Sequence, residues 1–168
     1  MPLRLTLTAA FALLLAACAH YRLGTSAAPA FSTLYIEPVQ NKTTLAQSAA
    51  LVGTQIRESF LRDARVTLVN SPAAADATLQ VVLVDYSRAV AAPRSDDTGL
   101  ARKFELALRA ECTLRDQRTG RTWFERRPVG AMKESYTDSG QLLSEYDTAP
   151  LLASSLADNI AHAVLDVW

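Results

Sequence analysis

From Phe104 to Arg115 the chain alternates. Phe104, Leu106, Leu108, Ala110, Cys112 and Leu114 take one parity; Glu105, Ala107, Arg109, Glu111, Thr113 and Arg115 take the other. A period of two over this length predicts a strand with one buried face and one wet face. Asp116 to Arg121 reads as a hairpin turn, with Gly120 placed for a positive φ. Thr122 to about Tyr136 reads as the returning strand, and Pro128 and Gly130 mark a bulge or bend in it. Upstream, Ala77 to Tyr86 (ATLQVVLVDY) is β-branched and largely apolar, as a central strand is. Short strands are predicted at Thr33–Val39, ended by Pro38 and Asn41, and at Arg65–Val69, closed by Asn70-Ser71-Pro72.

Two segments change to helical spacing. Ala49, Val52, Ile56 and Phe60 recur at three and four residues, with Thr43 or Thr44 available as a cap. Roughly from Pro150 to Val167, the residues Leu152, Leu156, Ile160, Ala163 and Val167 line one face, and Pro150 suits a first turn. Ser155, Asp158, Asn159, His162 and Asp166 supply more polar positions. The order β-α-β-β-β-β-α implies one α+β domain over residues 33–168. The expected architecture is a two-layer sandwich, with two helices on one face of a mainly antiparallel sheet of about four to five strands.

The N-terminus has a different pattern. Arg4 precedes an apolar run from Leu5 to Leu15, and Leu15-Ala16-Ala17-Cys18 follows. The run is too short and too early to span a bilayer, so residues 1–17 read as a lipoprotein signal peptide cleaved before Cys18. The Cys18 thiol would carry diacylglycerol and its freed amine a third chain such as palmitate. At about 0.8 kcal/mol per buried methylene, three chains hold a protein on a membrane almost permanently. Ala19 is not acidic, which favours sorting to the inner leaflet of the outer membrane. Residues 18–32 then form a lipidated, Pro- and Gly-bearing tether.

Composition narrows the function. Basic and acidic residues balance at 17 each, so loss of Arg4 leaves a mature charge of about −1. That argues against nucleic acid as a partner. With Cys18 lipidated, Cys112 has no partner for a disulfide within the chain, and its place among core leucines makes it a small buried hydrophobe. His20 and His162 are the only histidines, with no metal-type Cys/His spacing, no G-x-S-x-G and no phosphate-binding glycine loop. Asp96-Asp97, flanked by Arg94 and Arg102, reads as a solvated loop. No enzyme, metal site or cofactor is therefore expected; a hydrolase would need a nucleophile and base that the chain does not visibly offer. The basic residues are more informative. Arg88, Arg94, Arg102 and Lys103 crowd one connection, Arg118 and Arg121 flank the hairpin turn, and Arg126, Arg127 and Lys133 follow. Gathered at a sheet edge, such residues could meet an anionic ligand, because Arg captures phosphate or carboxylate in a bidentate fork. The alternative is a solvated surface of mixed charge.

The order of several short motifs resembles one family. Tyr21-Arg22-Leu23-Gly24 follows the cysteine, and Leu34-Tyr35-Ile36-Glu37-Pro38 precedes Asn41-Lys42-Thr43. Ala75-Asp76-Ala77-Thr78-Leu79 opens a strand, a hairpin at Thr119-Gly120 leads to Trp123, and an amphipathic helix closes the chain. This resembles the lipopolysaccharide-assembly lipoproteins of LptE type. The resemblance implies an outer-membrane, lipid-anchored periplasmic protein that plugs a large β-barrel of LptD type. It also implies help with barrel assembly and with delivery of lipopolysaccharide to the outer leaflet. Lipopolysaccharide contact through basic loop residues falls nearest to Arg94 and Lys133, with Arg88 and Arg102 as neighbours able to substitute. The alternative is an auxiliary lipid-binding lipoprotein of another envelope lipid transporter.

Overall fold

A computed structural model describes residues 29–93, 101–136 and 143–166. The signal segment, Cys18, Arg94 and the Asp96-Asp97 pair lie outside them. The elements are β1 (Thr33–Ile36), β2 (Gln40–Asn41), α1 (Ser48–Arg62), β3 (Thr67–Leu68), β4 (Ala77–Pro93), β5 (Ala101–Asp116), β6 (Thr122–Tyr136) and α2 (Leu143–Leu165). A single 3-10 turn, Pro72–Ala74, links β3 to β4. The α+β class and the helix-on-sheet layering agree with expectation. The sheet is mixed and six-stranded, in the order β3-β1-β4-β5-β6, with β2 added to β4. β1 runs parallel to β3 and β4, and β2 parallel to β4; only β4-β5-β6 is antiparallel. The predicted first strand stops at Ile36, just before Pro38, which lacks an N–H, and β2 is a further short strand beyond its predicted end. β3 is shorter than its pattern, whereas β4 runs seven residues beyond Tyr86.

The helices also start elsewhere than expected. Thr43 does not cap α1. Its hydroxyl donates to the Asn41 Oδ1 atom at 2.7 Å and accepts from the Leu45 N–H at 3.2 Å, closing a compact turn. Asn41 Nδ2 donates to the Leu45 carbonyl at 2.9 Å. The helix begins only after Gln47, whose φ of 63° is left-handed. Arg62 closes its last turn, where a cation meets the negative end of the helix dipole. α2 begins at Leu143, so Pro150 lies inside it and removes one backbone hydrogen bond.

The core forms where one-sided patterns meet. Val52, Ile56 and Phe60 of α1, Leu152, Leu156 and Ile160 of α2, and Leu106, Leu108, Cys112 and Leu114 of β5 are all buried. The α2 face continues through Val164 rather than the half-buried Ala163. Each fully buried leucine, isoleucine or phenylalanine contributes about 1.5–3 kcal/mol. The helices lie side by side in the same direction. Ser59 Oγ of α1 donates to Asp158 of α2 at 2.8 Å, and Asn159 and Arg127 join α2 to the edge strand β6 through the Gly130 and Ala163 carbonyls. The predicted hairpin is present: Asp116 Oδ1 accepts from the Arg118 and Thr119 amides, and Gly120 has φ +71°.

Asp76 anchors the start of the domain. One carboxylate oxygen accepts from the Ser32 amide at 3.0 Å, the Ser32 hydroxyl at 2.7 Å and the Thr33 amide at 3.0 Å. The Ser32 and Thr33 donors hold its acidity well below the usual carboxylate range. At the far end of the helices, Arg65 lowers Asp63 and Asp166 in the same direction, with His162 adding to Asp166. A depressed folded pKa gives stability that is present above the unfolded value, about 3.9, and lost as pH falls toward the folded value. Thermal melting is therefore expected to be flat from about pH 7 to 5 and to fall steeply below about 4. Asp76→Asn should melt lower at neutral pH and show a shallower acid decline; an unchanged decline would remove Asp76 from this account.

Candidate functional site

Two bulges decide which side chains share the helix-covered face. In β4, Leu83 pairs with Ala110 and Asp85 with Arg109, so Val84 is an extra residue. Before Val84 the inward positions are odd, Ala77 to Leu83; beyond it they are even, Tyr86, Arg88 and Val90, opposite Leu108, Leu106 and Phe104. Facing residues on an antiparallel pair project to the same side, and one extra residue reverses that side. In β6, Phe124 pairs with Leu114 and Arg127 with Cys112, so between these pairs the return strand also carries one residue in excess. Arg126 there has φ +48°, and its amide donates to Thr113 Oγ1 at 3.1 Å. This bulge precedes Pro128 rather than following it. It brings Arg127, Val129, Ala131, Lys133 and Ser135 onto the inner face.

The consequence is a row across three strands: Arg88, Leu106 and Lys133. Arg88 is exposed, and its guanidinium carbon lies 3.7 Å from the centroid of the Phe104 ring. That is cation–π stacking range. Lys133 is half-buried and makes no hydrogen bond or ion pair with another described residue. Lys103, by contrast, pairs with Glu134. Of the four sequence candidates, Arg88 and Lys133 are thus brought to one face around one leucine. Arg94 lies outside the described residues, and only the strand backbone is described for Arg102.

Beside this row is a cleft of about 550 Å³ between the first turns of α1, the Pro150 region of α2 and the sheet. Leu106 and Tyr86 line it from the sheet, and Leu45, Leu51, Pro150 and Leu152 are among its other walls. The hydroxyls of Ser48 and Thr54 in the wall donate to the Leu45 and Ala50 carbonyls. No motif marked this cleft in the sequence. A hint was the leucine at 45, upstream of the amphipathic face and outside it.

A second cleft, about 400 Å³, lies at the opposite end of the helices, lined by Ser59, Arg62, Asp63, Arg65, Asp158 and His162 among others. Its charges satisfy one another: Arg62 with Asp158, Arg65 with Asp63 and Asp166, and His162 with Asp166, each at 2.7–2.8 Å. Cys112 is buried and burial pushes its thiol up to about 12, which leaves it un-ionised at neutral pH. Among the described residues no cluster has the make-up of a metal site, and no helix is long and apolar enough to cross a membrane.

Residues 31–165 match the family model described as LptE, lipopolysaccharide-assembly. A search of curated proteins gives no match. Solved structures share the fold at low identity. A Xanthomonas campestris protein aligns at TM-score 0.60 and 10% identity, covering 83% of this chain and 88% of its own. A hypothetical protein from Chlamydia trachomatis aligns at 0.56 and 12%, covering 79% and 95%. An uncharacterized lipoprotein B from Nitrosomonas europaea aligns at 0.55 and 15%, covering 87% and 88%.

Proposed function

The chain belongs to the LptE lipopolysaccharide-assembly family, and on that premise we propose that it is a non-enzymatic, lipid-anchored outer-membrane protein that plugs an LptD-type barrel. In this reading it assists folding of the barrel and helps pass lipopolysaccharide toward the outer leaflet. The observation that carries the ligand half is the Arg88–Leu106–Lys133 row. Two cations on one face beside an apolar cleft suit an anionic amphiphile, because each phosphate oxygen can accept a charge-assisted hydrogen bond.

The uncovered face of the sheet supports the plug half. It carries Asp85 with Arg109 and Glu111 with Arg126 as ion pairs, and presents mixed charge. A large barrel lumen is polar, and a surface of this kind remains hydrated inside one. The test is a gentle detergent pull-down of the tagged, lipidated protein, followed by mass spectrometry. A stoichiometric LptD-type barrel is the expected companion. Inner-membrane lipid-transporter subunits in its place would overturn the plug and move the protein to an auxiliary role.

A further inference from the structure

We propose that the cleft beside the Arg88–Leu106–Lys133 row is an acyl-chain pocket, which takes the end of one chain of lipid A while the two cations hold its phosphate at the rim. This rests on the lipopolysaccharide reading above and adds to it a second, apolar point of contact.

The cleft volume of about 550 Å³ is within the range of ligand sites, about 300–1,000 Å³. Its walls are chiefly leucine, alanine and proline, from three separate elements. The wall hydroxyls of Ser48 and Thr54 are already committed to helix and turn carbonyls. Gln47 and Tyr86 are the other polar side chains of the lining; the remaining wall offers a polar ligand no hydrogen-bond partner, whereas an alkyl chain needs none. Charge complementarity selects among alkyl ligands. Leu106 forms part of the buried floor of the cleft and stands in register between Arg88 and Lys133, which lie outside its lining, so a chain that leaves the cleft along this row has its head beside the two cations. A neutral lipid would bring no anion to Lys133, which has no partner among the described residues, and free phosphate would leave the cleft empty.

The pocket is also preformed. The rim before α1 is cross-linked by the Asn41, Thr43 and Leu45 hydrogen bonds, and it holds Gln47 at a left-handed φ. Such backbone persists only where its surroundings over-determine it, and it clusters at ligand clamps. Preformation lowers the ordering cost of binding.

Photo-crosslinking tests the assignment on the full lipidated chain in phosphatidylcholine nanodiscs. Three probes are used separately: lipid A with a diazirine at an acyl end, lipid A with a diazirine beside a phosphate, and phosphatidylglycerol with a diazirine at an acyl end. Mass spectrometry of the labelled peptides is expected to place the acyl-end lipid A label on segments 45–54 and 149–152. The phosphate-side label should fall on the peptides containing Arg88 and Lys133. Ala50→Trp, at an exposed position lining the cleft, should lower acyl-end labelling about tenfold by displacing two or so methylenes of contact. Its melting curve checks that it folds. Phosphate-side labelling at the cations with acyl-end labelling elsewhere would overturn the pocket and leave the lipopolysaccharide reading standing. Absence of both lipid A labels would overturn both. Cleft labelling by phosphatidylglycerol and not by lipid A would overturn the choice of lipid.

Discussion

Replacing Arg88 and Lys133 together with alanine is expected to lower lipopolysaccharide affinity about a hundredfold while the melting temperature moves by no more than about 2 °C. Each side chain would supply a hydrogen bond from a cation to a phosphate, and such bonds are worth about 1.5–3 kcal/mol before solvent screening. Arg88 is exposed and Lys133 half-buried. The low end of that range therefore applies to both, and two such losses make a factor of about 100. Stability should barely change, because Lys133 has no partner among the described residues and the contacts of Arg88, its stacking on Phe104 among them, are made at an exposed position where water screens them. The control is Arg115→Ala with Arg121→Ala. It removes the same charge from exposed positions near the hairpin turn. Equal losses in the two double variants would mean that net charge, rather than the row, draws the ligand. Binding is best measured with defined lipopolysaccharide at fixed ionic strength, since exposed charges are screened within about 8–10 Å at physiological salt.

Phe60→Ala is expected to cost about 3–5 kcal/mol and to lower the melting temperature by about 10–15 °C. Phe60 is wholly buried at the last turn of α1, within the cluster shared by both helices and the sheet. The α1–α2 contact is also pinned by Ser59 and Asp158, so the site cannot collapse freely around the lost ring. Leu61 is the internal comparison. It is 71% exposed, and Leu61→Ala should stay within about 0.5 kcal/mol. Similar losses at the two neighbouring positions in a denaturant melt would contradict the assignment of the buried face.

Much of the fold was legible in the sequence because its signals are local. The alternation from Phe104 to Leu114 marked a strand and its buried side; that side is buried from Leu106 to Leu114, with Phe104 half-buried, while Ala107 and Thr113 on the side expected to be wet are buried as well. The spacing of Val52, Ile56 and Phe60 marked a helix face in the same way. Gly120 marked a turn because few residues other than glycine take its backbone angle without strain. The element ends were less legible. Thr43 has the chemistry of a cap, but Asn41 and Leu45 compete for its hydroxyl. Pro150 has the chemistry of a first turn, yet α2 continues upstream of it. The parallel pairing of β1, β2 and β3 had no local signature either, since it joins segments far apart in the chain.

By itself the sequence determined the class of each main element, the buried face of the long helices and of β5, and a pool of basic residues in one half of the chain. Only the tertiary structure decided which of those cations meet. Counted along β4 without a break, Arg88 has the parity of the outer face opposite Leu83; counted along β6 from Phe124, so does Lys133. One extra residue at Val84 and another beside Arg126 reverse both, and bring the two cations to either side of Leu106. The side a strand residue faces depends on its register with its neighbours, and a bulge belongs to the pairing of two strands rather than to the residues of either one.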